Sequence, residues 1–164
     1  MANYHTLFLA IVSASLLVGC AGPDQQSPKY ELDGGLSRYA VRARSIPINR
    51  RYHELTAEQK EIINSWYEHI APGDEPPFPA EGLQPIHEAI GRGQGKALVS
   101  GEMLLLATVN AAGDVEAVKV YRSPTKQMTQ FVSGVLVLTK FKPAVCGGLP
   151  CRMEYPFTFT FKVE

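Results

Sequence analysis

Hydrophobic and polar positions form their clearest pattern in the last third of the chain, residues 101–164. Two apolar stretches that favour β-strands, Met103–Val109 and Val115–Tyr121, are separated by the short connection Asn110–Asp114. This connection contains Gly113, and a tight hairpin turn often needs a residue with positive φ, which glycine adopts without strain. The pattern therefore predicts a β-hairpin over these two stretches.

A predicted helix and a predicted third strand follow the hairpin. Residues Pro124–Phe141 carry apolar side chains at helical spacing, and a proline suits the first turn of a helix. After the loop Cys146–Cys151, the segment Met153–Val163 alternates strictly between two sets of side chains, one of them aromatic, which predicts a half-buried strand. The helical stripe consists of Met128, Phe131, Val132, Val135, Leu136 and Leu138, the aromatic set of Tyr155, Phe157, Phe159 and Phe161, and the opposite set of Pro156, Thr158, Thr160 and Lys162.

Two more helices are predicted before the hairpin. Thr56 can cap a helix over Thr56–Ala71, with Gln59 at the capping-box position, and a Pro-Gly pair follows it. A second helix is predicted over Leu83–Ile90, and the glycines of the following "GRGQG" indicate a helix stop and a flexible turn. The fold class is therefore α+β: a small three-stranded antiparallel sheet in the order β-β-α-β, packed by one or two helices and preceded by an extra N-terminal helix.

Composition and charge exclude several classes of function. The 164 residues, 45% of them hydrophobic, are enough for one ordinary domain with appendages. The formal net charge is zero, and no nucleic-acid motif is present, so no nucleic-acid partner is expected. No nucleophile, base and orienting group occur in a pattern typical of catalysis, so we expect neither an enzyme nor a cofactor. A run without acids contains Arg38, Arg42, Arg44, Arg50 and Arg51, and we interpret it as a solvated tether. Contact of these arginines with anionic lipid head groups or peptidoglycan-associated acids is the alternative.

The N-terminus resembles a bacterial lipoprotein signal. Leu7–Val18 is an apolar run, shorter than the ~20 residues that span a bilayer, and it leads into "LLVGC". The resemblance implies cleavage before Cys20 and acylation of the new N-terminus and of the thiol, which would anchor the protein stably. By resemblance to the sorting of enteric lipoproteins, Ala21 in place of an aspartate implies the outer membrane. One feature departs from the signal pattern, since no Lys or Arg precedes the apolar run. An uncleaved membrane anchor is the alternative.

Cys146 and Cys151 remain once Cys20 is assigned to lipid. Two cysteines five positions apart around a Gly-Gly pair favour a small structural disulfide in an oxidising compartment. A redox site is the first alternative, although the spacing is C-x4-C and not C-x-x-C. A metal site is the second, although no histidine is suitably spaced to complete it, so no metal is expected.

The ordered set of segments resembles the C-terminal domain of the TonB family of periplasmic energy transducers. The resemblance runs through "PPFP" at Pro76–Pro79, the strand pair "GEMLLLATVNAAGDVEAVKVYRSP", and "KFKPAVCGGLPCRMEYPFTFTF". It implies a domain over residues 76–164. The lipoprotein signal and the predicted helix divide the chain before it into a signal peptide (1–19), a lipidated tether (20–55), and a helix with its connector (56–75). The resemblance also implies that the sheet captures an extended segment of a protein partner, or pairs with a second copy in a homodimer.

The resemblance and the lipoprotein signal together predict a function. Strand addition at the last strand would use its backbone edge together with Thr158, Thr160 and Lys162. We therefore expect a lipid-anchored, periplasm-facing protein-binding module at the outer membrane of a Gram-negative envelope, acting as an adaptor or an envelope-assembly component. The alternative is a shortened inner-membrane energy transducer of the TonB type. The long periplasmic spacer of that family is missing here, and this favours the first hypothesis.

Overall fold

A computed structural model describes residues 46–162, and its centre is a three-stranded antiparallel sheet. The sheet contains β2 (Gly101–Val109), β3 (Val115–Arg122) and β7 (Met153–Phe161), in the spatial order β3-β2-β7. A helix lies between β3 and β7 in the chain, so the predicted α+β class and the order β-β-α-β are confirmed. The last strand of the sequence is thus one edge of the sheet.

The turn between β2 and β3 is fixed by a side chain and a glycine. The Asn110 Oδ1 atom accepts hydrogen bonds from the backbone N–H groups of Ala112 and Asp114, both at 2.9 Å. Gly113 has a φ of 85°, as the sequence predicts, and its carbonyl accepts a hydrogen bond from Phe141 N–H at 2.9 Å. This turn is therefore tied to the chain that follows the helix, as well as closing its own hairpin.

The first helix, α1 (Ala57–Asn64), begins as predicted and ends early. Thr56 and Gln59 form the capping box, which confirms the predicted start. The predicted continuation to Ala71 is wrong. Trp66 and Tyr67 donate backbone hydrogen bonds three residues back, which tightens the turn, and both side chains are buried. Trp66 and Tyr67, which the prediction placed in the helix, therefore belong to a turn that enters the core.

The second helix, α2 (Gln84–Ala97), continues through the glycines that were interpreted as a helix stop. A Cβ atom on Gly93 would lie 2.3 Å from the ring of Phe131 in the next helix. The lack of a side chain at this position lets the two helices approach closely, so packing outweighs the low helix propensity of glycine. The helix ends instead at Leu98, which has a φ of 46° and donates its N–H to the Gln94 carbonyl.

The third helix, α3 (Lys126–Leu138), is shorter at both ends than predicted. Thr125 caps it by accepting the Met128 N–H at 3.1 Å, so Pro124 lies before the helix and not in its first turn. At the other end, Phe141 leaves the helix and lies in strand β4 (Phe141–Lys142), which pairs with β1 (Phe78–Pro79). The buried stripe is also narrower than predicted and consists of Met128, Val132 and Leu136, whereas Phe131 and Leu138 are exposed.

One hydrophobic core joins the sheet, the helices and the segment before them. Ile46, Tyr52 and Trp66 belong to the same buried cluster as the aromatic face of β7. At its centre the Tyr155 ring lies 5.2 Å from the ring of Phe141, 6.3 Å from that of Trp66 and 6.4 Å from that of Phe78. Ile46, Tyr52 and Trp66, which all precede β1 in the chain, therefore pack against the inner face of the sheet next to its β7 edge.

Two short strands, β5 (Ala144–Cys146) and β6 (Leu149–Cys151), form a hairpin before β7. Gly147 and Gly148 both have positive φ, as a two-residue hairpin turn of this kind requires. The Sγ atoms of Cys146 and Cys151 lie at disulfide distance, with 5.8 Å between their Cα atoms. A backbone N–H of the turn donates to Asp74, which ties the hairpin to the connector after α1.

Removing this cross-link by the double change Cys146→Ser and Cys151→Ser is expected to lower the free energy of unfolding. The two cysteines are five positions apart, so they close a small loop, and the chain-entropy relation gives about 2 kcal/mol. Urea unfolding with and without a reductant measures the effect. Reductant should lower the unfolding midpoint of the parent protein and leave that of the double variant unchanged. Equal midpoints for the oxidised parent and the variant would contradict the prediction.

Candidate functional site

The outer edge of β7 carries a row of backbone groups directed away from the sheet. In an antiparallel ladder, successive residues direct their N–H and C=O groups alternately to the two sides. Pro156 has no N–H to give to β2, and within sheets proline occupies positions whose nitrogen faces outward at an edge. The β2–β7 register has no shift, so every second residue from Pro156 shares its direction.

A hydrogen bond at the end of β7 also supports the outward direction of these backbone groups. The Gln94 side chain of α2 donates to the carbonyl oxygen of Lys162 at 2.6 Å, at the end of the strand. Lys162 is six positions from Pro156 and therefore belongs to the same outward set. Within residues 46–162, no backbone hydrogen bond joins the outward groups of Thr158 or Thr160 to another element. These two residues thus present both a donor and an acceptor at the edge.

A groove of about 400 Å³ follows this edge. All six consecutive residues from Tyr155 to Thr160 line it. Because adjacent side chains of a strand point to opposite faces, a cavity that contacts every residue in turn must lie along the backbone edge. The opposite wall comes from the chain before β2 and consists of Ile46, Ile48, Trp66, Leu83 and His87, and Lys162 lies at one end.

The structure brings the three predicted binding residues together at this groove. Thr158, Thr160 and Lys162 all line it, with Thr160 and Lys162 exposed and Thr158 half-buried. Tyr155, Phe157 and Phe161 of the aromatic set are buried, as the predicted half-buried strand requires of its inner face. The three polar residues themselves stay predictions as binding residues.

The wall of the groove was not predicted from the sequence. Its residues belong to a tight turn, the start of α2 and the segment that precedes α1, so no local motif joins them. Gly82 has a φ of 79°, and a Cβ atom there would lie 2.7 Å from the Arg50 carbonyl oxygen. The Gln84 N–H also donates to the Ile48 carbonyl at 2.8 Å. These contacts hold the segment that contains Ile48 and Arg50 against the start of α2, and so they form the wall.

Two of the ionisable side chains that line the groove, His87 and Lys162, lie in different environments. The His87 ring lies edge-on to the Phe159 ring, with 5.5 Å between ring centroids, and its burial lowers its pKa below the ordinary value of 6.5. Lys162 is exposed and forms no ion pair with any residue of the described range. At neutral pH the groove therefore carries one cation, Lys162, at its end and no other charge among the described residues that line it.

The lowered pKa of His87 predicts how stability depends on pH. The unfolded chain takes up a proton near pH 6.5 and the folded chain only at lower pH, so protonation favours unfolding. The contribution of the neutral ring is complete above pH 6.5 and is lost as the pH falls through the folded-state pKa. We expect His87→Gln to reduce the loss of unfolding free energy between pH 7 and pH 5. Urea titrations of both proteins across this interval measure the difference, and parallel curves would contradict it.

Other sites can be described only for part of the chain. Within residues 46–162 there is no cluster of three or more His, Cys, Asp or Glu side chains suited to a metal ion. None of the helices in that range is long and apolar enough to cross a membrane. The predicted lipid-attachment residue Cys20 and the arginines from Arg38 to Arg44 lie outside the described residues.

Comparison with known proteins gives limited similarity. No family model matches the chain, and no curated protein matches it either. Among solved structures, the NMR solution structure of Helicobacter pylori TonB-CTD (residues 179–285) is similar at 20% sequence identity and a TM-score of 0.33. The match covers 68% of this chain and 99% of that one.

Proposed function

We propose that this protein is a lipid-anchored, periplasm-facing binding module that captures an extended segment of a protein partner at the β7 edge. The observation that supports the proposal is the continuous groove beside outward N–H and C=O groups. An added strand would gain main-chain hydrogen bonds at Thr158 and Thr160, and the groove wall would receive its alternate side chains. We assign it no catalytic role.

The other edge of the sheet is less suited to capture. The β2–β3 ladder contains two register shifts, and β3 carries Lys119 and Arg122 along an exposed strand. Irregular register and charged side chains are the usual means by which an edge strand avoids pairing with another chain. The β7 edge has regular register and few charges, so it is the edge on which we place the partner.

A test of this function is site-specific photo-crosslinking in intact cells, with the crosslinking amino acid at Thr160. We expect a discrete adduct with an envelope protein. The adduct should be lost when Thr158→Pro is added, because proline removes an outward donor and places its ring where the partner strand would lie. Thr158→Val is the matched control, since it keeps the backbone N–H and should keep the adduct.

One crosslinking outcome would contradict the proposed strand pairing. An adduct of equal yield in the proline variant would show that strand pairing at this edge does not hold the partner. Circular dichroism of the purified variants is the accompanying control, because Thr158→Pro leaves the β2–β7 hydrogen bonds in place only if Thr158 directs its N–H outward.

The anchor is tested separately by intact mass. A mass equal to residues 20–164 plus acyl chains, in separated outer membranes, is expected for the lipoprotein. A full-length, unlipidated chain in the inner membrane would overturn this part of the proposal and favour the shortened energy transducer.

A further inference from the structure

The solvent side of α3 is apolar and uncharged. Between Lys126 and Lys140 the sequence contains no charged residue. The side chain of Leu138 is 88% exposed, and those of Val137 and Phe131 are exposed as well. Phe131 and Leu138 are seven positions apart, so they lie on one face of the helix, about 10 Å from each other. Exposed apolar side chains grouped in this way mark a surface that contacts something other than water.

Two lysines border this apolar surface. Lys126 is the first residue of α3, and Lys96 lies in the last turn of α2. The end of α2 and the start of α3 are neighbours, because a Cβ atom on Gly101, shortly after α2, would lie 3.0 Å from the side chain of Pro124, just before α3. Both lysines are exposed, and neither forms an ion pair with any residue of the range 46–162. Their charges are therefore available to an external anion.

Acidic side chains are scarce on the two helices. Glu88 is the one acid of α2, where it pairs with Arg92 at 4.0 Å, and α3 contains no acid. Lys140, which follows α3, pairs with Asp114 of the hairpin turn. The net charge of the two helices is therefore positive at neutral pH, and it favours an anionic occupant.

The types of side chain distinguish a membrane from a protein as the occupant. A second copy placed on the same face by a two-fold axis would bring equal lysines together, and they would repel each other. Interfaces between proteins are enriched in tyrosine, tryptophan and arginine and are poor in lysine. Leucine and phenylalanine beside lysines are typical of helices that lie on anionic bilayers, since the lysine stem stays in apolar surroundings while its ammonium group reaches the head groups.

We propose that α2 and α3 form a membrane-contacting face that docks on a bilayer containing anionic lipids. Phe131 and Leu138 enter the boundary between head groups and acyl chains, and Lys96 and Lys126 pair with lipid phosphates. This face is separate from the β7 groove, because none of these four residues lines the groove. It also differs in role from the proposed acyl anchor, since acyl chains hold the N-terminus whereas the helices orient the folded domain.

The inference is tested with the full chain, purified from its membranes and reconstituted in vesicles of phosphatidylethanolamine and phosphatidylglycerol. The vesicles also contain a lipid with a nitroxide on its acyl chain, which quenches fluorophores in the bilayer. A fluorophore is attached to the new thiol of Leu138→Cys, and labelled parent protein gives the background from any other thiol. We expect the bilayer nitroxide to remove most of the emission of the Leu138→Cys label.

Ala117→Cys is the matched control for the position of the label. Ala117 is exposed and pairs with Thr108 in the β2–β3 ladder, whereas the next residue of β2, Ala107, lies in the core with α2 and α3. Adjacent residues of a strand point to opposite faces, so Ala117 lies on the sheet face away from the helices. A label there is separated from the bilayer by the sheet and a helix layer of about 10 Å, and it should keep its emission.

The charge contribution is tested by Lys96→Glu combined with Lys126→Glu. This variant should lower the ratio of docked to undocked protein about tenfold, and vesicles of phosphatidylcholine alone should have a similar effect on the parent protein. Lys60→Glu combined with Lys119→Glu is the matched control, because it changes the net charge equally and neither residue belongs to α2 or α3. Circular dichroism shows whether each variant is folded. Undiminished quenching in the Lys96 and Lys126 variant would overturn the assigned lipid contact.

The remaining outcomes also decide against the proposed face. Equal quenching of the Leu138 and Ala117 labels would mean that the domain contacts the bilayer without a fixed orientation. No quenching of either label would mean that the domain does not dock. A Leu138 label that is shielded from water but unaffected by the nitroxide would mean that a protein covers the face, and chemical crosslinking between copies would identify a second copy. Each of these results overturns the inference, and none depends on strand capture at β7.

Discussion

Replacing Tyr155 with alanine is expected to lower the free energy of unfolding by about 3–5 kcal/mol, as truncation of a fully buried aromatic side chain does. The side chain is 2% exposed and contacts the rings of Trp66, Phe78 and Phe141. Trp66 lies in the turn after α1, Phe78 in strand β1 and Phe141 in strand β4. The change would therefore leave a cavity where three otherwise separate parts of the chain meet. Equilibrium urea unfolding followed by far-UV circular dichroism measures the loss.

Phe131→Ala is the control for Tyr155→Ala, because it also removes an aromatic ring from the same domain. Phe131 lies on α3 and is 38% exposed, so less apolar surface returns to water when it is truncated. We expect a loss of about 1 kcal/mol or less. Equal losses in the two variants would show that Tyr155 is not at the centre of the core.

Gly113→Ala is the second change for which we expect a large effect, about 3 kcal/mol or more. The residue has a φ of 85°, which costs about 1–2 kcal/mol for a residue with a side chain. A Cβ atom would also lie 2.1 Å from the Phe141 carbonyl oxygen. Backbone must move to remove this overlap, and the move weakens the 2.9 Å hydrogen bond from Phe141 N–H to the Gly113 carbonyl. Thermal and urea unfolding measure the loss.

Gly73→Ala separates the conformational cost of a positive φ from the cost of the steric overlap with Phe141. Gly73 has a φ of 90°, close to that of Gly113, and a Cβ atom there would have no heavy atom within 4 Å. It should therefore show the conformational cost alone, about 1–2 kcal/mol. A loss as small at Gly113 would mean that the turn can move away from Phe141 freely.

The strands were predictable from the sequence because their signals are local. The alternation of Tyr155, Phe157 and Phe161 with polar residues, and the glycine of the β2–β3 turn, specify strand and turn without reference to the rest of the chain. The start of α1 was predictable for the same reason, since Thr56 and Gln59 satisfy the first backbone N–H groups directly.

The helix ends were not predictable in the same way, because packing between elements sets them. The glycines after Ile90 favour a helix stop by propensity, yet Gly93 lies inside α2 because the Phe131 ring needs the space. Phe141 has helical spacing with the residues before it, yet it pairs with Pro79 in a strand and contacts Tyr155. A periodic pattern indicates which face is buried, and several backbone paths can bury the same residues.

The sequence by itself determined the three strands, their order and the polar residues at the β7 edge, because alternation and turn chemistry act over a few neighbouring residues. Only the tertiary structure decided that residues from distant parts of the chain face this edge across a groove. Ile48, Trp66 and His87 are distant from β7 in the chain, and they line its groove because the N-terminal segment packs against the start of α2. Contacts between distant residues depend on the whole core, so no local pattern could specify them.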